Sequence, residues 1–351
     1  MAHLIFLTST PATIAEGSGT WVGISVLRDA IVALGHDVTL MSGAEDEVGE
    51  SALARIAFNL RSRSRFRRIE ADVVVGFDLD GVFLRKGPFR HVASIKGVLA
   101  DEAHHEHGAK RFKLALLARL EARHVRRCDR VITTSIYSSD RIAEFYGTKP
   151  EKIRVVPELI DLASWRQALA AAPLIEGPPR ILCVAHLYPR KGVDTLLRAF
   201  VPLQSRAILR IVGVGPERRR LEQLAHDLAI ADRVHFLGHL PLPALTAEYR
   251  NATIFALPSE QEGFGIVFLE AMASSLPVVA ARAAAVPEVV AEDVTALLVD
   301  PHDETALTNS METLLDDPAL REAMGAAGSL RVQRYDAPVV ARQFLDAIGI
   351  G

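Results

Sequence analysis

The sequence is short of several features that mark other classes of protein. Its 351 residues include only two cysteines, Cys128 and Cys183, without CxxC spacing. This excludes a disulfide framework and thiolate zinc sites, and it favours a reducing compartment. No uninterrupted apolar run approaches the roughly 20 residues of a membrane-spanning helix. A formal net charge of −3 lacks the basic excess of nucleic-acid binders, so we expect no nucleic-acid partner.

Apolar residues, in contrast, are abundant. They make up 49% of the chain, enough for a large core, and a chain of this length favours two domains over one. The apolar start, "MAHLIFLTST", has no basic leader and is typical of a buried first strand. We therefore expect a cytoplasmic protein, soluble or at most peripheral at the inner face of the membrane.

Short β-rich apolar runs alternate with helical patterns in both halves of the sequence. This alternation predicts an α/β fold of two doubly wound Rossmann-like domains that face a central cleft. The prolines and glycine between Arg166 and Arg180 predict a linker between the domains. The predicted bounds are 1–165 for an N-terminal domain, 166–179 for the linker, 180–335 for a second domain and 336–351 for a terminal helix able to pack back on the first domain.

The stretch "PSEQEGFGIVFLEAMA" has the most informative loop. A predicted strand ends before it, Glu262 precedes the turn Gly263-Phe264-Gly265, and Glu270 follows in a predicted helix over 266–274. Amide groups at a helix start, approached closely through glycines, favour a phosphate. Carboxylates beside a phosphate suit neutral hydroxyls on either side of it, as in a nucleotide sugar. The ordinary alternative is that both acids only stabilise the helix dipole.

A second loop, "VAHLYPRKGVDTLL", has cations where we expect a helix to begin. Arg190 and Lys191 would oppose the helix dipole there, unless they hold a diphosphate between this loop and the glycine turn. His186 ends the preceding strand. The alternative for either cation is solvated surface, and it suits Arg190 better than Lys191.

Further glycine-rich loops follow predicted strands. "IVGVGPE" lacks the full GxGxxG, so it favours a tight strand-to-helix turn near a nucleotide over a dinucleotide site. The loop after the first strand, "EGSGTWVGISVL", has glycines whose amides could approach a ligand of the second domain. It fits a flexible loop without a ligand equally well. The donor-binding candidates from these loops are Gly213, Gly215, Gly238, His239, Gly17 and Gly19.

Four segments together resemble retaining glycosyltransferases of the GT-B kind, in the GT4-like family. They are the Glu262-to-Glu270 stretch, "LYPRKGVDTLLRAF", "IVGVGPE" and "KIRVVPELID". The resemblance implies that Lys191 holds the donor diphosphate, that Glu262 binds hydroxyls of the transferred sugar, and that Glu270 binds the ribose. It also implies amides of 263–265 facing the sugar and phosphates, with 180–335 as the nucleotide-sugar-binding domain and 1–165 as the acceptor-side domain.

The same resemblance implies the reaction. A sugar moves from a nucleoside-diphosphate sugar to an acceptor hydroxyl with its anomeric configuration kept, without a metal or other cofactor. The acceptor is a glycan, a lipid-linked sugar or a small metabolite. Two positions depart from the family pattern: His186 stands where arginine is usual, and Lys96 stands where a histidine near the reacting sugar is frequent. Lys96 is therefore a catalytic candidate with an acceptor-side or phosphate-contacting role.

Three other clusters allow alternative interpretations. "DLD" (Asp78–Asp80) resembles a metal-binding motif of another glycosyltransferase fold, but a loop or acceptor-side role fits better. "HHEH" (His104–His107) lacks the i,i+4 spacing of helical metal ligands. The basic stretch Arg61–Arg68 suits docking on anionic lipid or an acidic acceptor, or equally a solvated face.

Two functions other than sugar transfer remain open at this point. A sugar-nucleotide epimerase has the same architecture, and a catalytically weak or silent nucleotide-sugar-binding protein would fit the departures at His186 and Lys96. Release of nucleoside diphosphate in the presence of an acceptor distinguishes transfer from both.

Overall fold

The computed structural model describes residues 1–9, 19–42, 52–65 and 70–350. They form two units: Met1–Leu159 with Tyr335–Gly351, and Ile160–Arg334. The second unit is thus inserted into the first. The predicted linker, 166–179, falls within the second unit, and its first residues end a helix, Leu162–Ala171.

The first unit is built on a parallel sheet with strand order β2-β1-β3-β4-β5-β6. Its strands are β1 (His3–Thr8), β2 (Asp37–Ser42), β3 (Val73–Phe77), β4 (Arg90–Ile95), β5 (Arg130–Thr133) and β6 (Ile153–Val155). Its helices are α1 (Gly19–Ala33), α2 (Ala52–Arg65), α3 (Leu99–His104), α4 (Gly108–Arg127), α5 (Ile136–Tyr146) and, from the chain end, α14 (Ala337–Ile348).

The second unit is built on another parallel sheet, with strand order β12-β11-β10-β7-β8-β9. Its strands are β7 (Arg180–Val184), β8 (Ile208–Val212), β9 (Val234–Gly238), β10 (Ile254–Leu257), β11 (Val278–Ala281) and β12 (Ala296–Val299). Its helices are α6 (Leu162–Ala171), α7 (Val193–Phe200), α8 (Arg218–Asp227), α9 (Leu242–Arg250), α10 (Ile266–Ala273), α11 (Val286–Val289), α12 (Glu304–Asp316) and α13 (Pro318–Arg331).

Burial explains why the apolar runs form these strands. Every residue of β3, β10 and β11 is buried, as expected for strands covered by helices on both faces. The predicted α/β class with two Rossmann-like halves is confirmed. The helical sequence patterns of 23–34 and 112–127 predict two of the helices with later starts than the structure has, because α1 begins at Gly19 and α4 at Gly108.

Helix α14 completes the core of the first unit. Phe344 packs against Phe6 with ring centroids 6.2 Å apart, in a cluster that includes Ile24 and Leu27 of α1. Arg130 Nη1 donates to the Ala347 carbonyl at 2.5 Å, and Arg90 donates to the Ile348 carbonyl. Cations at a helix C-terminus are favourable, so the sheet and the last helix are joined by polar as well as apolar contacts.

Candidate functional site

The carboxyl ends of β7 and β10 form the switch point of the second sheet. The two strands are neighbours, but β8 and β9 extend from β7 on one side while β11 and β12 extend from β10 on the other. Loops that follow such a pair of strands diverge and leave a crevice, where ligands of open α/β sheets bind. The sequence "HLYPRKG" follows β7 and "PSEQEGFG" follows β10.

An ion pair joins these two loops. Lys191 Nζ donates to Glu262 Oε1 at 2.6 Å, and the two side chains are only 13% and 10% exposed. At this depth the attraction is screened far less than in a surface pair. Lys191 does not open a helix as predicted: Pro189–Lys191 is a 3-10 turn, and α7 begins at Val193. The turn changes the chain direction before the helix and leaves the ammonium beside Glu262.

Gly192 allows the two loops to approach. Its φ is +64°, and a Cβ added there would lie 2.3 Å from the Pro258 carbonyl oxygen. A side chain would therefore force the loops apart. The Arg190 carbonyl accepts from the Glu260 amide at 2.8 Å. This hydrogen bond joins the same two loops at a second point.

Gly265 ends the glycine turn and directly precedes α10. Its φ is +91°, and a Cβ there would lie 2.6 Å from the ring of Phe268. Only glycine meets both conditions without strain. The amides of the first turn of α10 thus begin directly after the Glu262 loop, as an anion site at a helix start requires.

Glu270 lies one turn into α10, and its partner is a tyrosine from α9. Tyr249, which is fully buried, donates its hydroxyl to Glu270 Oε2 at 2.7 Å. Burial raises the pKa of Glu270 to about 7, and the hydrogen bond from Tyr249 opposes that rise. Near neutral pH this carboxyl consequently exists in both protonation states.

Arg190 and His186 contact a common ring. The Arg190 guanidinium lies 4.9 Å from the centroid of the Tyr188 ring, and the His186 ring lies 6.1 Å from the same ring. Arg190 Nε also donates to Gln261 Oε1 at 3.1 Å. Cation–π contact and this hydrogen bond both restrain the guanidinium beside the loop that contains Glu262.

Three of the remaining donor-binding candidates of this unit, Gly213, Gly215 and Gly238, lie where neighbouring loops pack closely. A Cβ on Gly213 would lie 1.9 Å from the Ala185 carbonyl oxygen, and one on Gly215 would lie 2.4 Å from that of Leu187. The Gly213 amide donates to the Gly238 carbonyl at 2.8 Å, and His239 is exposed beside it. These contacts bring the loops after β7, β8 and β9 together.

Lys96 belongs to the first unit, directly after β4. Its Nζ donates to Glu158 Oε2 at 2.9 Å, with the side chains 9% and 13% exposed, and its amide donates to Asp78 Oδ1. Gly19 is the first residue of α1. Gly17 lies outside the described residues.

The "DLD" carboxylates are held by protein groups. Asp80 accepts from the amide and hydroxyl of Ser9 and from Asn59 Nδ2 at 2.7 Å. Burial raises the pKa of Asp78 to about 6, and its carbonyl faces His124 Nδ1 at 2.6 Å. These contacts are those of a structural loop at the switch point between β1 and β3.

The side chains of the "HHEH" cluster make separate contacts. His104 stacks on Phe145 with centroids 4.9 Å apart, while Glu106 pairs with Lys110 at 2.5 Å. Across the described residues, no group of three or more His, Cys, Asp or Glu side chains could hold a metal ion. In the basic stretch, Arg61–Arg65 belongs to α2, and 66–68 lie outside the described residues.

Sequence reasoning missed three residues that complete this picture. Tyr249 gives no signal in the sequence, because it lies near the end of a helix, α9, and not in a loop that follows a strand. Gln261 lies in the same loop as Glu262, where nothing in the sequence distinguishes it from an ordinary polar residue. Glu158 lies in "VVPELID", part of a segment that carries the family resemblance. Its pairing with Lys96 depends on the fold, because the two residues are 62 positions apart in the sequence.

Within the described ranges, no helix combines the length and apolarity that crossing a membrane demands.

Two family models match successive parts of this chain. Residues 166–331 match the family described as "Glycosyl transferases group 1", and residues 17–164 match "Glycosyltransferase Family 4". The chain is 32% identical over 288 residues to a GDP-mannose-dependent alpha-(1-6)-phosphatidylinositol monomannoside mannosyltransferase from Mycolicibacterium smegmatis, covering 76% of this chain and 74% of that relative.

A second relative and a solved structure extend the comparison. A D-inositol 3-phosphate glycosyltransferase from Acidothermus cellulolyticus is 34% identical, over 61% of this chain and 52% of that protein. The structure of sucrose-phosphate synthase from Thermosynechococcus elongatus superposes with a TM-score of 0.85 at 22% identity, covering 99% of this chain and 98% of the other. At that identity the likeness concerns the fold, which is the two-domain GT-B architecture.

Proposed function

The chain belongs to the GT4-type glycosyltransferases of the GT-B fold, and from this premise we propose that it is a retaining, metal-independent enzyme whose donor is a nucleoside-diphosphate sugar. The observation that supports this most directly is the Lys191–Glu262 pair between the loops after β7 and β10. It combines a cation for a diphosphate with a carboxylate for uncharged hydroxyls at one switch point.

Each group has a separate role in the proposed donor complex. Lys191 and the first amides of α10 bind the diphosphate, and Glu262 accepts hydrogen bonds from hydroxyls of the transferred sugar. Glu270 accepts from a ribose hydroxyl through the oxygen that Tyr249 does not use. Donor binding would thus replace the contact between Lys191 and Glu262 by contacts of each with the ligand.

The proposed reaction is a front-face displacement. The bond between the anomeric carbon and the diphosphate oxygen breaks, and the acceptor hydroxyl forms its bond to the same face of that carbon. The acceptor proton moves to the departing phosphate oxygen, which gives a nucleoside diphosphate and a retained glycoside. Lys191 stabilises the negative charge that grows on the leaving group, and this is the electrostatic contribution that catalysis needs most.

The names of the relatives suggest the first substrates to test. One relative is named as GDP-mannose-dependent. The names of both relatives include an inositol-bearing compound. We propose GDP-mannose as donor and an inositol derivative as acceptor. Lys96, held by Glu158, is the residue of the first unit that we assign to the acceptor side.

A donor panel followed by a transfer assay tests the proposal. A thermal-shift series with GDP-mannose, UDP-glucose and the free diphosphates should select one nucleotide, because a ligand of the folded state raises apparent stability. With that donor and an inositol acceptor, nucleoside diphosphate should be released together with a glycoside of retained configuration, and chelators should leave the rate unchanged.

Lys191→Ala provides the sharpest variant for this assay. We expect weaker binding of the nucleoside diphosphate and transfer lowered by about 100-fold or more, while Arg198→Ala, an exposed cation on α7, should change neither. Glu262→Ala should abolish most transfer and leave folding intact. Unchanged diphosphate affinity in Lys191→Ala contradicts the assignment, and a free epimerised nucleotide sugar as product contradicts transfer.

A further inference from the structure

Lys191 and Glu262 neutralise each other within the second unit. Lys191 Nζ lies 2.6 Å from Glu262 Oε1, and both side chains are mostly buried. Removing one partner from a buried ion pair is strongly unfavourable, because the remaining charge then lacks both water and its counter-charge. A ligand that binds only one of these two residues therefore leaves the other in an unfavourable environment.

The loop fixes the position of the Glu262 carboxylate. The backbone carbonyl of Glu262 accepts from the Ala285 amide at 3.2 Å. Its carboxyl carbon lies 3.8 Å from the position that a Cβ on Gly265 would take, and Gly265 directly precedes α10. A helix start and an ammonium are both favourable surroundings for an anion. The carboxylate is thus close to both groups to which the proposed function assigns the diphosphate.

The donor and its product differ in what they offer this carboxylate. A nucleoside-diphosphate sugar and the free nucleoside diphosphate contain the same two phosphates, and in either ligand these draw Lys191 away from Glu262. Only the sugar brings hydroxyl donors to the carboxylate that is released. With the free diphosphate, Glu262 exchanges a cation for a neighbouring anion, which repels it at short range. The same ion pair therefore opposes the product more than the donor.

We propose that the Lys191–Glu262 pair makes the site selective for the intact donor over the free nucleoside diphosphate. This selectivity rests on the proposed function and adds to it a discrimination between two ligands with the same diphosphate. Glu262 supplies the repulsive element on which specificity commonly depends. After transfer the sugar hydroxyls leave with the acceptor, Glu262 regains Lys191, and release of the nucleoside diphosphate is favoured.

Calorimetric titration of the full chain with GDP and GDP-mannose, or with the nucleotide pair that the thermal-shift series selects, tests this selectivity. The unchanged chain should bind the sugar nucleotide about tenfold more tightly than the diphosphate, the scale of one hydrogen bond to a charged group. Glu262→Gln should bind the diphosphate about tenfold more tightly than the unchanged chain does, because an amide neither neutralises Lys191 nor repels the phosphates. Its affinity for the sugar nucleotide should rise less, since the sugar hydroxyls lose their carboxylate acceptor.

Two controls separate the ion pair from the general effect of a negative charge. Glu260→Gln removes a carboxylate from the same loop whose Oε1 lies 3.5 Å from His302 Nε2, and it should change the affinity for either nucleotide by less than about twofold. In a Lys191→Met background, Glu262→Gln should raise the diphosphate affinity much less than it does alone, because no ammonium is freed.

The titrations distinguish failure of this selectivity from failure of the proposed function. The proposal is overturned if the unchanged chain binds GDP at least as tightly as GDP-mannose, a result that does not depend on the folding of any variant. It is also overturned if Glu262→Gln leaves the diphosphate affinity unchanged or lower, or if Glu260→Gln raises it equally. Nucleotide binding with the wrong selectivity refutes the role of the pair alone, whereas a chain that binds neither nucleotide refutes the proposed function with it.

Discussion

At the scale of single residues, the carboxyl of Glu270 is subject to two opposed influences. Burial raises its pKa to about 7, and the hydroxyl of Tyr249 donates to Oε2 and lowers that pKa. The protonation state of Glu270 near neutrality therefore depends on one hydrogen bond. Since a protonated carboxyl accepts fewer hydrogen bonds from a ribose, the same bond should control donor affinity.

Tyr249→Phe should raise the pKa of Glu270 further, because only the influence that lowers it is removed. Nucleotide affinity should then fall at pH 7 and recover at higher pH, as the carboxyl ionises. The lost buried hydrogen bond should also reduce the free energy of unfolding by about 1 kcal/mol. Calorimetric titration with the nucleoside diphosphate across pH measures the first effect, and chemical denaturation measures the second.

Glu270→Gln serves as the control for this variant, because an amide does not titrate. Its nucleotide affinity should be low and independent of pH over the same interval. A Tyr249→Phe protein with the pH profile of the unchanged chain would show that this hydrogen bond does not govern Glu270.

At the scale of elements, the site depends on how closely the loops after β7 and β10 approach each other. Gly192→Ala places a methyl group 2.3 Å from the Pro258 carbonyl and should separate Lys191 from Glu262. We expect it to weaken nucleotide binding and to reduce the free energy of unfolding. Thermal denaturation and calorimetric titration measure the two effects.

Gly147→Ala is a matched control for that change. Gly147 has a φ of +63°, almost that of Gly192, but a Cβ there meets no atom within 4 Å. Gly147→Ala should reduce the free energy of unfolding by about 1–2 kcal/mol because of the left-handed backbone alone. Gly192→Ala should reduce it by about 1–3 kcal/mol more because of overpacking. Equal losses in the two variants would mean that the loops do not press on each other at Gly192.

The elements also separate what the sequence could predict from what it could not. Buried parallel strands have continuous apolar sequences, so their positions and the α/β class followed from the sequence. The position of Lys191 in a 3-10 turn did not follow, because "PRKG" before an apolar helical pattern is compatible with either geometry until Gly192 adopts a positive φ. Side-chain partners distant in the chain, such as Tyr249 for Glu270, leave no local pattern.

At the scale of the whole molecule, the first unit depends on the last helix of the chain. Phe344 is 2% exposed in the cluster that contains Phe6 and Leu27. Phe344→Ala should reduce the stability of this unit by about 3–5 kcal/mol, the range for a buried phenylalanine. Hydrogen exchange followed by mass spectrometry should show faster exchange in β1 and β3, with the strands of the second unit less affected.

Phe268→Ala, on a fully buried side chain of α10, provides the reciprocal comparison. It should accelerate exchange in β10 and β7 and spare β1. Faster exchange in the second unit after Phe344→Ala, with none in the first, would contradict the assignment of α14 to the first unit.

The insertion of one unit within the other has a consequence for biosynthesis. A ribosome makes residues 1–159 first, but α14 emerges only after the roughly 175 residues of 160–334 and the short segment that follows them. At about 5–20 residues per second this delay is on the order of 10–35 s. During that time the nascent sheet of the first unit lacks the helix that covers it, whereas the inserted unit is complete once residue 334 has been made, before α14 follows. We therefore expect the inserted unit to mature first and chaperones to engage the earlier half of the nascent polypeptide.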